Sequence, residues 1–115
     1  MKVMVADDQP DVRSALRLML EEKPGITGVE EVSTAHDLIL GLKSSCPDLV
    51  LLDFELPGTR PEELFKVIRR LCSGVKVIAL SSRPQMKQAA LDCGADHFVC
   101  KSDPPEVLLS VLDQG

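Results

Sequence analysis

Apolar residues fall along this chain in two alternating patterns. Val3 to Ala6, Leu49 to Leu52 and Val75 to Leu80 are short, nearly unbroken runs, as expected of strands covered on both faces in a parallel sheet. Elsewhere apolar positions recur at helical spacing: Val12, Ala15, Leu16, Met19 and Leu20; Ala35, Leu38, Ile39 and Leu42; Leu64, Val67, Ile68 and Leu71; Met86, Ala89, Ala90 and Cys93; Val107, Leu108, Val111 and Leu112. Each set gives a helix one apolar face. The punctuation agrees, with Pro10, Pro84 and the pair Pro104 and Pro105 opening helices, and Pro24 with Gly25, Ser73 with Gly74, and Gly94 closing them. Residues 26–32 make a weaker, more polar strand, predicted at the sheet edge, and residues 96–100 make a fifth. Five strands alternating with five helices through right-handed crossovers predict an α/β fold, a doubly wound parallel sheet with helices on both faces.

That topology brings the carboxyl ends of all strands to one edge, where ligands bind in open parallel sheets. The central strand lies in the stretch Asp48 to Pro57 and delivers Asp53 to this edge before Pro57 and Gly58 break it. A lone strand-end aspartate is ordinarily a cap or a turn residue. Asp53 has company: the first strand ends on Asp7 and Asp8, the fourth runs into Ser81, and the fifth ends on Lys101.

Charge and cysteine content narrow the field. A formal net charge of −5 argues against a nucleic-acid surface on this domain, because backbone binding needs clustered Lys and Arg. The opening MKVMVADD meets acid too soon for a signal peptide, and no apolar run reaches membrane-spanning length, so a cytoplasmic domain without membrane contact is expected. One hundred and fifteen residues, 44% hydrophobic and 27% charged, make one domain over residues 1–115, with no linker or repeat. The four cysteines form no CxxC pair, and His36 and His97 lack zinc spacing with them. They are expected to be scattered, reduced and mostly buried thiols.

Three carboxylates held about 5 Å apart repel by about 3 kcal/mol per pair at an effective dielectric near 20, so a cation must compensate. All-oxygen donors with positions left for water and phosphate suit Mg²⁺. Lys101 adds a second positive point. A metal and an ammonium flanking Asp53 form the clamp that phosphoryl transfer requires, with Asp53 as nucleophile and Ser81 as a hydroxyl donor to a phosphoryl oxygen.

With these residues in place, the whole chain resembles the receiver domain of two-component response regulators: the pair Asp7-Asp8, Asp53 followed by Pro57, Ser81, and the segment from Gly94-Ala95-Asp96 to Lys101. The ending KSDPPEVL is most similar to the nitrate-regulator (NarL/FixJ-like) subfamily, whose full-length members carry a DNA-binding output domain that these residues do not include. The resemblance implies a flavodoxin-like strand order 2-1-3-4-5 and a phosphorylation switch served by a sensor histidine kinase. It assigns Mg²⁺ to Asp8, Asp53 and the backbone carbonyl of Glu55, with Asp7 acting through water. Lys101 would pair with the phosphoryl group, Ser81 would move to bond it, and Phe98 would turn inward and alter the face made by the fourth helix, fifth strand and fifth helix. Phe98 is otherwise an ordinary core or edge aromatic. The first helix, near Val12 and Ala15, would join the kinase docking surface, and a weak homodimer is a family-level expectation. The domain would assist its own phosphotransfer and dephosphorylation without turning over a separate substrate.

Three positions depart from the common receiver pattern. Ser102 stands where proline often follows the lysine, Pro61 where a glycine often ends the loop, and Ser82 where alanine is frequent. Glu55 and Arg83, each two residues beyond a site residue, are expected to overhang the pocket and either pair across its mouth, slowing hydrolysis, or stand as two solvated side chains. Rival classes fare worse. The first strand leads into DDQPD where a dinucleotide fold needs GxGxxG, and a haloacid-dehalogenase-type hydrolase needs a second aspartate where Glu55 stands. The remaining alternative is a receiver-like scaffold acting by protein contacts without phosphorylation.

Overall fold

Strand β3, Leu49–Asp53, is buried at every position, because its apolar run has sheet on both edges and helices on both faces. Around it the computed structural model, which describes residues 1–114, places β1 (Lys2–Ala6), α1 (Pro10–Glu21), β2 (Gly28–Val32), α2 (Ala35–Ser44), α3 (Pro61–Leu71), β4 (Lys76–Ser81), α4 (Lys87–Cys93), β5 (His97–Cys100) and α5 (Pro105–Asp113). All strand pairs are parallel and the order is β2-β1-β3-β4-β5. The fold is therefore the expected doubly wound one, and β2 lies at the edge, as its polar sequence predicts.

Period-2 alternation along the buried strands splits the core in two. Val3, Val5, Leu49, Leu51, Ile78, Leu80 and Val99 face Leu20 of α1 and Leu108 and Leu112 of α5. Met4, Ala6, Val50, Leu52, Val77 and Ala79 face α2, α3 and α4 through Leu38, Leu42, Leu64, Phe65, Ile68 and Ala90. Burial of these apolar side chains, each contributing about 1.5–3 kcal/mol, is the main force fixing strand register.

Local signals set the helix ends. Thr34 caps α2 by accepting from the Asp37 amide at 3.1 Å, and α3 begins on Pro61, with Glu62 and Glu63 in its first turn and Arg69 and Arg70 in its last, in the sense its dipole favours. Gly94 closes α4 at φ 111°, a left-handed cap that a side chain would strain. Gly58, at φ 113°, lets the loop after β3 come within van der Waals reach of Ala35, whose amide donates to the Pro57 carbonyl at 3.2 Å. This contact fastens the loop that follows Asp53 onto the start of α2. Residues 84–86, expected as the first turn of the fourth helix, instead form a separate 3₁₀ turn.

The cysteines require a correction. Cys46 and Cys72 are not free thiols but form a disulfide, with Cα atoms 5.7 Å apart. Cys46 precedes β3 and Cys72 precedes β4, and because these strands are parallel neighbours, the two leads meet on the rim opposite the strand carboxyl ends. The expectation of free thiols holds for Cys93 and Cys100. The bond spans a sequence separation of 26, for which the chain-entropy account predicts about 3–4 kcal/mol of stabilisation. Urea unfolding with and without reductant should therefore show a loss of about 2–4 kcal/mol on reduction, and Cys46→Ser should reproduce the loss without needing reductant.

Candidate functional site

At three strand ends the side chain turns back on its own backbone. The Gln9 amide donates to Asp7 Oδ1 at 2.9 Å, the Glu55 amide to Asp53 Oδ1 at 2.9 Å, and the Arg83 amide to Ser81 Oγ at 3.0 Å. These turns satisfy amides that leave the sheet ladder and fix the orientation of each polar group. They also place the residue two positions on at the mouth of the pocket, beside a neighbouring strand end. Gln9 Oε1 accepts from Lys101 Nζ at 3.1 Å, and Glu55 Oε1 accepts from Ser81 Oγ at 2.8 Å.

Asp7, Asp53 and Ser81 are buried, while Asp8 is exposed at the rim. Asp7, Asp8 and Asp53 each offer a carboxylate oxygen within 4.8 Å of the others. Lys101 Nζ stands 2.7 Å from Asp7 Oδ2 and 3.4 Å from Asp53 Oδ2, closer to Asp7 than to the central aspartate. Asp7 Oδ2 is buried, and among the described residues the Lys101 ammonium is its one ion-pair partner. The Lys101–Ser102 peptide is trans, as are all peptide bonds of the described residues.

Electrostatics follow from the crowding. Burial drives the Asp53 carboxyl up to about 6, and the Asp7 charge and Asp8 add to the rise; the Glu55 amide and the Lys101 ammonium oppose it without cancelling it. Burial alone would lower Lys101, but its hydrogen bond to Asp7 and the charges of Asp53 and Asp7 outweigh that and hold the ammonium above its ordinary range. The site thus holds more negative charge than its one ammonium neutralises. An all-oxygen donor set with surplus negative charge fits a hard divalent cation such as Mg²⁺.

The remaining expected residues lie around this centre. Glu55 Oε2 and Arg83 Nη2 are 4.0 Å apart across the mouth, both partly exposed. Phe98 pairs in register with Ala79, two residues before Ser81, and packs half-buried against the core on the α4 side. Ser82 is exposed.

The sequence matches the family described as response regulator receiver domain over residues 3–113. The chain belongs to the receiver domain family. Among curated relatives, this receiver domain is similar to the nitrate/nitrite response regulator protein NarL of Escherichia coli strain K12, 34% identical over 115 residues, covering 98% of this chain and 53% of NarL. The response regulator UvrY of the same strain is 29% identical over 112 residues, covering 96% of this chain and 51% of UvrY. The chain therefore spans about half the length of these relatives. Among solved structures, a LuxR-family two-component response regulator from Aurantimonas sp. SI85-9A1 superposes with TM-score 0.88 at 27% identity, covering 98% of this chain and 82% of that one. RcsB of Salmonella enterica serovar Typhimurium, bound to promoter rprA in the presence of phosphomimetic BeF₃⁻, gives TM-score 0.88 at 28% identity, covering 99% and 67%.

Two polar residues of the receiver site escaped the sequence reading. Gln9 is a ligand of Lys101, and Arg13 donates from Nη1 to the Asp7 carbonyl at 2.7 Å while lying 3.4 Å from Glu31. Their one advance signal was position: both flank the start of a helix that directly follows the acidic pair. Outside the site, Asp96 Oδ2 accepts from the Val77 amide at 2.8 Å and from Arg69 at 3.1 Å, tying the start of β5 to β4 and α3.

Because the folded-state pKa of Asp53 lies near 6 and its ordinary value is 3.8, the folded protein binds this proton more tightly than the unfolded chain. Ionising Asp53 therefore costs stability that is fully lost above about pH 6 and retained below about pH 4. Asp53→Asn should stabilise the fold at pH 7.5 by about 1–3 kcal/mol. Chemical denaturation repeated at pH 4 should show the gain largely gone.

Proposed function

We propose that this domain is a phosphorylation-dependent switch that accepts a phosphoryl group on Asp53 from the phosphohistidine of a sensor kinase. The observation that carries the reading is the meeting of Asp7, Asp8 and Asp53 within 4.8 Å at the strand carboxyl ends, with the Lys101 ammonium reaching both Asp7 and Asp53. A solved receiver offers further support: TrrA of Thermotoga maritima, described in complex with Mg²⁺-BeF, superposes with TM-score 0.85 at 26% identity, covering 98% of this chain and 96% of that one.

Asp8 and Asp53, with the Glu55 carbonyl, would hold Mg²⁺ directly, and Asp7 would hold it through water. When bound, the ion supplies positive charge to the phosphoryl oxygens and relieves the repulsion among the carboxylates. An Asp53 oxygen attacks phosphorus and forms the acyl phosphate bond as the phosphorus–nitrogen bond to the donor histidine breaks, the nitrogen keeping the electron pair. Lys101, held in place by Gln9 and Asp7, pairs with the incoming oxygens. Ser81 donates to another of them, and Phe98, on the same face of the sheet, follows it inward and changes the α4–β5–α5 surface. Arg83 and Glu55 overhang the mouth and slow the approach of hydrolytic water. In the intact regulator this surface would control transcription through a DNA-binding domain elsewhere in the protein. The domain itself turns over no separate substrate.

Incubation with Mg²⁺ and a small phosphodonor, followed by intact mass measurement, should show the gain of one phosphoryl group. Asp53→Asn and removal of Mg²⁺ by chelation should each abolish it. No gain in the wild type would sink the reading and leave a scaffold acting by contacts alone. Arg83→Ala should shorten the lifetime of the phosphorylated form a few-fold, as judged by loss of the phosphoryl mass over time, in keeping with about 0–1 kcal/mol for a partly exposed pair.

A further inference from the structure

A serine hydroxyl has one proton to donate. Ser81 spends it on Glu55 Oε1 at 2.8 Å, and its oxygen already accepts from the Arg83 amide at 3.0 Å. The serine is fully buried, and its carbonyl is tied to β5 by the Lys101 amide at 2.8 Å. Freedom at this position is therefore confined to rotation of the side chain. Glu55 is equally well placed: its amide bonds Asp53 Oδ1 at 2.9 Å, and the Leu56 amide donates to the Asp53 carbonyl at 3.0 Å. A hydrogen bond to a charged carboxylate is among the stronger ones available to a hydroxyl.

We propose that the Glu55 side chain is a positioning residue that holds the Ser81 hydroxyl in the resting state by occupying the role of a phosphoryl oxygen. The inference rests on the reading of Asp53 as phospho-acceptor and adds a regulatory step to it. Ser81 cannot bond the phosphoryl group until it lets Glu55 go. Activation is an exchange of acceptors, in which the new anion on Asp53 takes the hydroxyl and the Glu55 carboxylate gives it up. Arg83 Nη2, 4.0 Å from Glu55 Oε2, receives the released carboxylate. Glu55 thereby sets how strong a phosphoryl mimic must be to throw the switch.

Two measurements test this. In the ligand-free protein, Glu55→Ala should shift the NMR signals of the Ser81 side chain and the Arg83 amide, and unchanged signals would overturn the resting bond. In the second, beryllofluoride with Mg²⁺ is titrated into wild type, Glu55→Gln, Glu55→Ala, Ser81→Ala and the Glu55→Ala/Ser81→Ala double variant. Glu55→Ala should bind the mimic roughly tenfold more tightly, the worth of one hydrogen bond to a charged group. Glu55→Gln, which keeps an acceptor but not the charge, should gain less. In the Ser81→Ala background the Glu55→Ala gain should vanish. A gain that persists there would mean that Glu55 acts by repelling the anion and not through Ser81, and would overturn the exchange. If beryllofluoride binds no variant, wild type included, the phospho-acceptor reading falls and the exchange with it, while the ligand-free spectra still decide whether the resting bond exists.

Discussion

The ammonium of Lys101 set between two buried carboxylates is the interaction on which the site depends. Asp7 and Asp53 are carried to one edge by β1 and β3, which are neighbours in the sheet, and the apolar core gives them no means of moving apart. Left alone, they would repel strongly in a region that water hardly reaches. Lys101, brought by β5 from across β4, touches both. It opposes but does not cancel the burial that, with the Asp7 charge, holds the Asp53 carboxyl above its ordinary value. The fold thus gathers three carboxylates against one ammonium at a single rim.

How the polar groups are aimed is a separate matter from how they are gathered. Strand ends only bring them near. The turns at Asp7, Asp53 and Ser81, each closed by the amide two residues on, orient them and bring Gln9, Glu55 and Arg83 to the mouth. One local device, used three times, orients the inner set of polar groups and sets the outer set at the mouth.

Most of this architecture was legible in the sequence. Unbroken apolar runs identified the buried strands, helical spacing identified the covering faces, and the polar residue ending each run marked the edge where the polar groups gather. What escaped was contact across the chain. Nothing in the spacing of Cys46 and Cys72 distinguishes a bonded pair from two thiols; only the adjacency of β3 and β4 does. Gln9 reads as an ordinary residue before a helix until Lys101, from the far end of the chain, is placed beside it. The bond between Ser81 and Glu55 was hidden for the same reason, since the sequence offered Arg83 as the natural partner of Glu55. The opening of α4 was misjudged because helical periodicity does not separate a 3₁₀ turn from the α-helix it precedes.

The disulfide gives the molecule two unlike ends. At one end β3 and β4 finish in ionic contacts and side-chain hydrogen bonds; at the other the chain leading into them is covalently riveted. Between the two ends the strands are laced together throughout, from Leu49 opposite Lys76 to the Phe54 amide on the Leu80 carbonyl, so they move as one piece. Any displacement at the site end therefore falls to side chains and to the loops that follow the strands, where, among the described residues, no covalent cross-link ties the chain to itself.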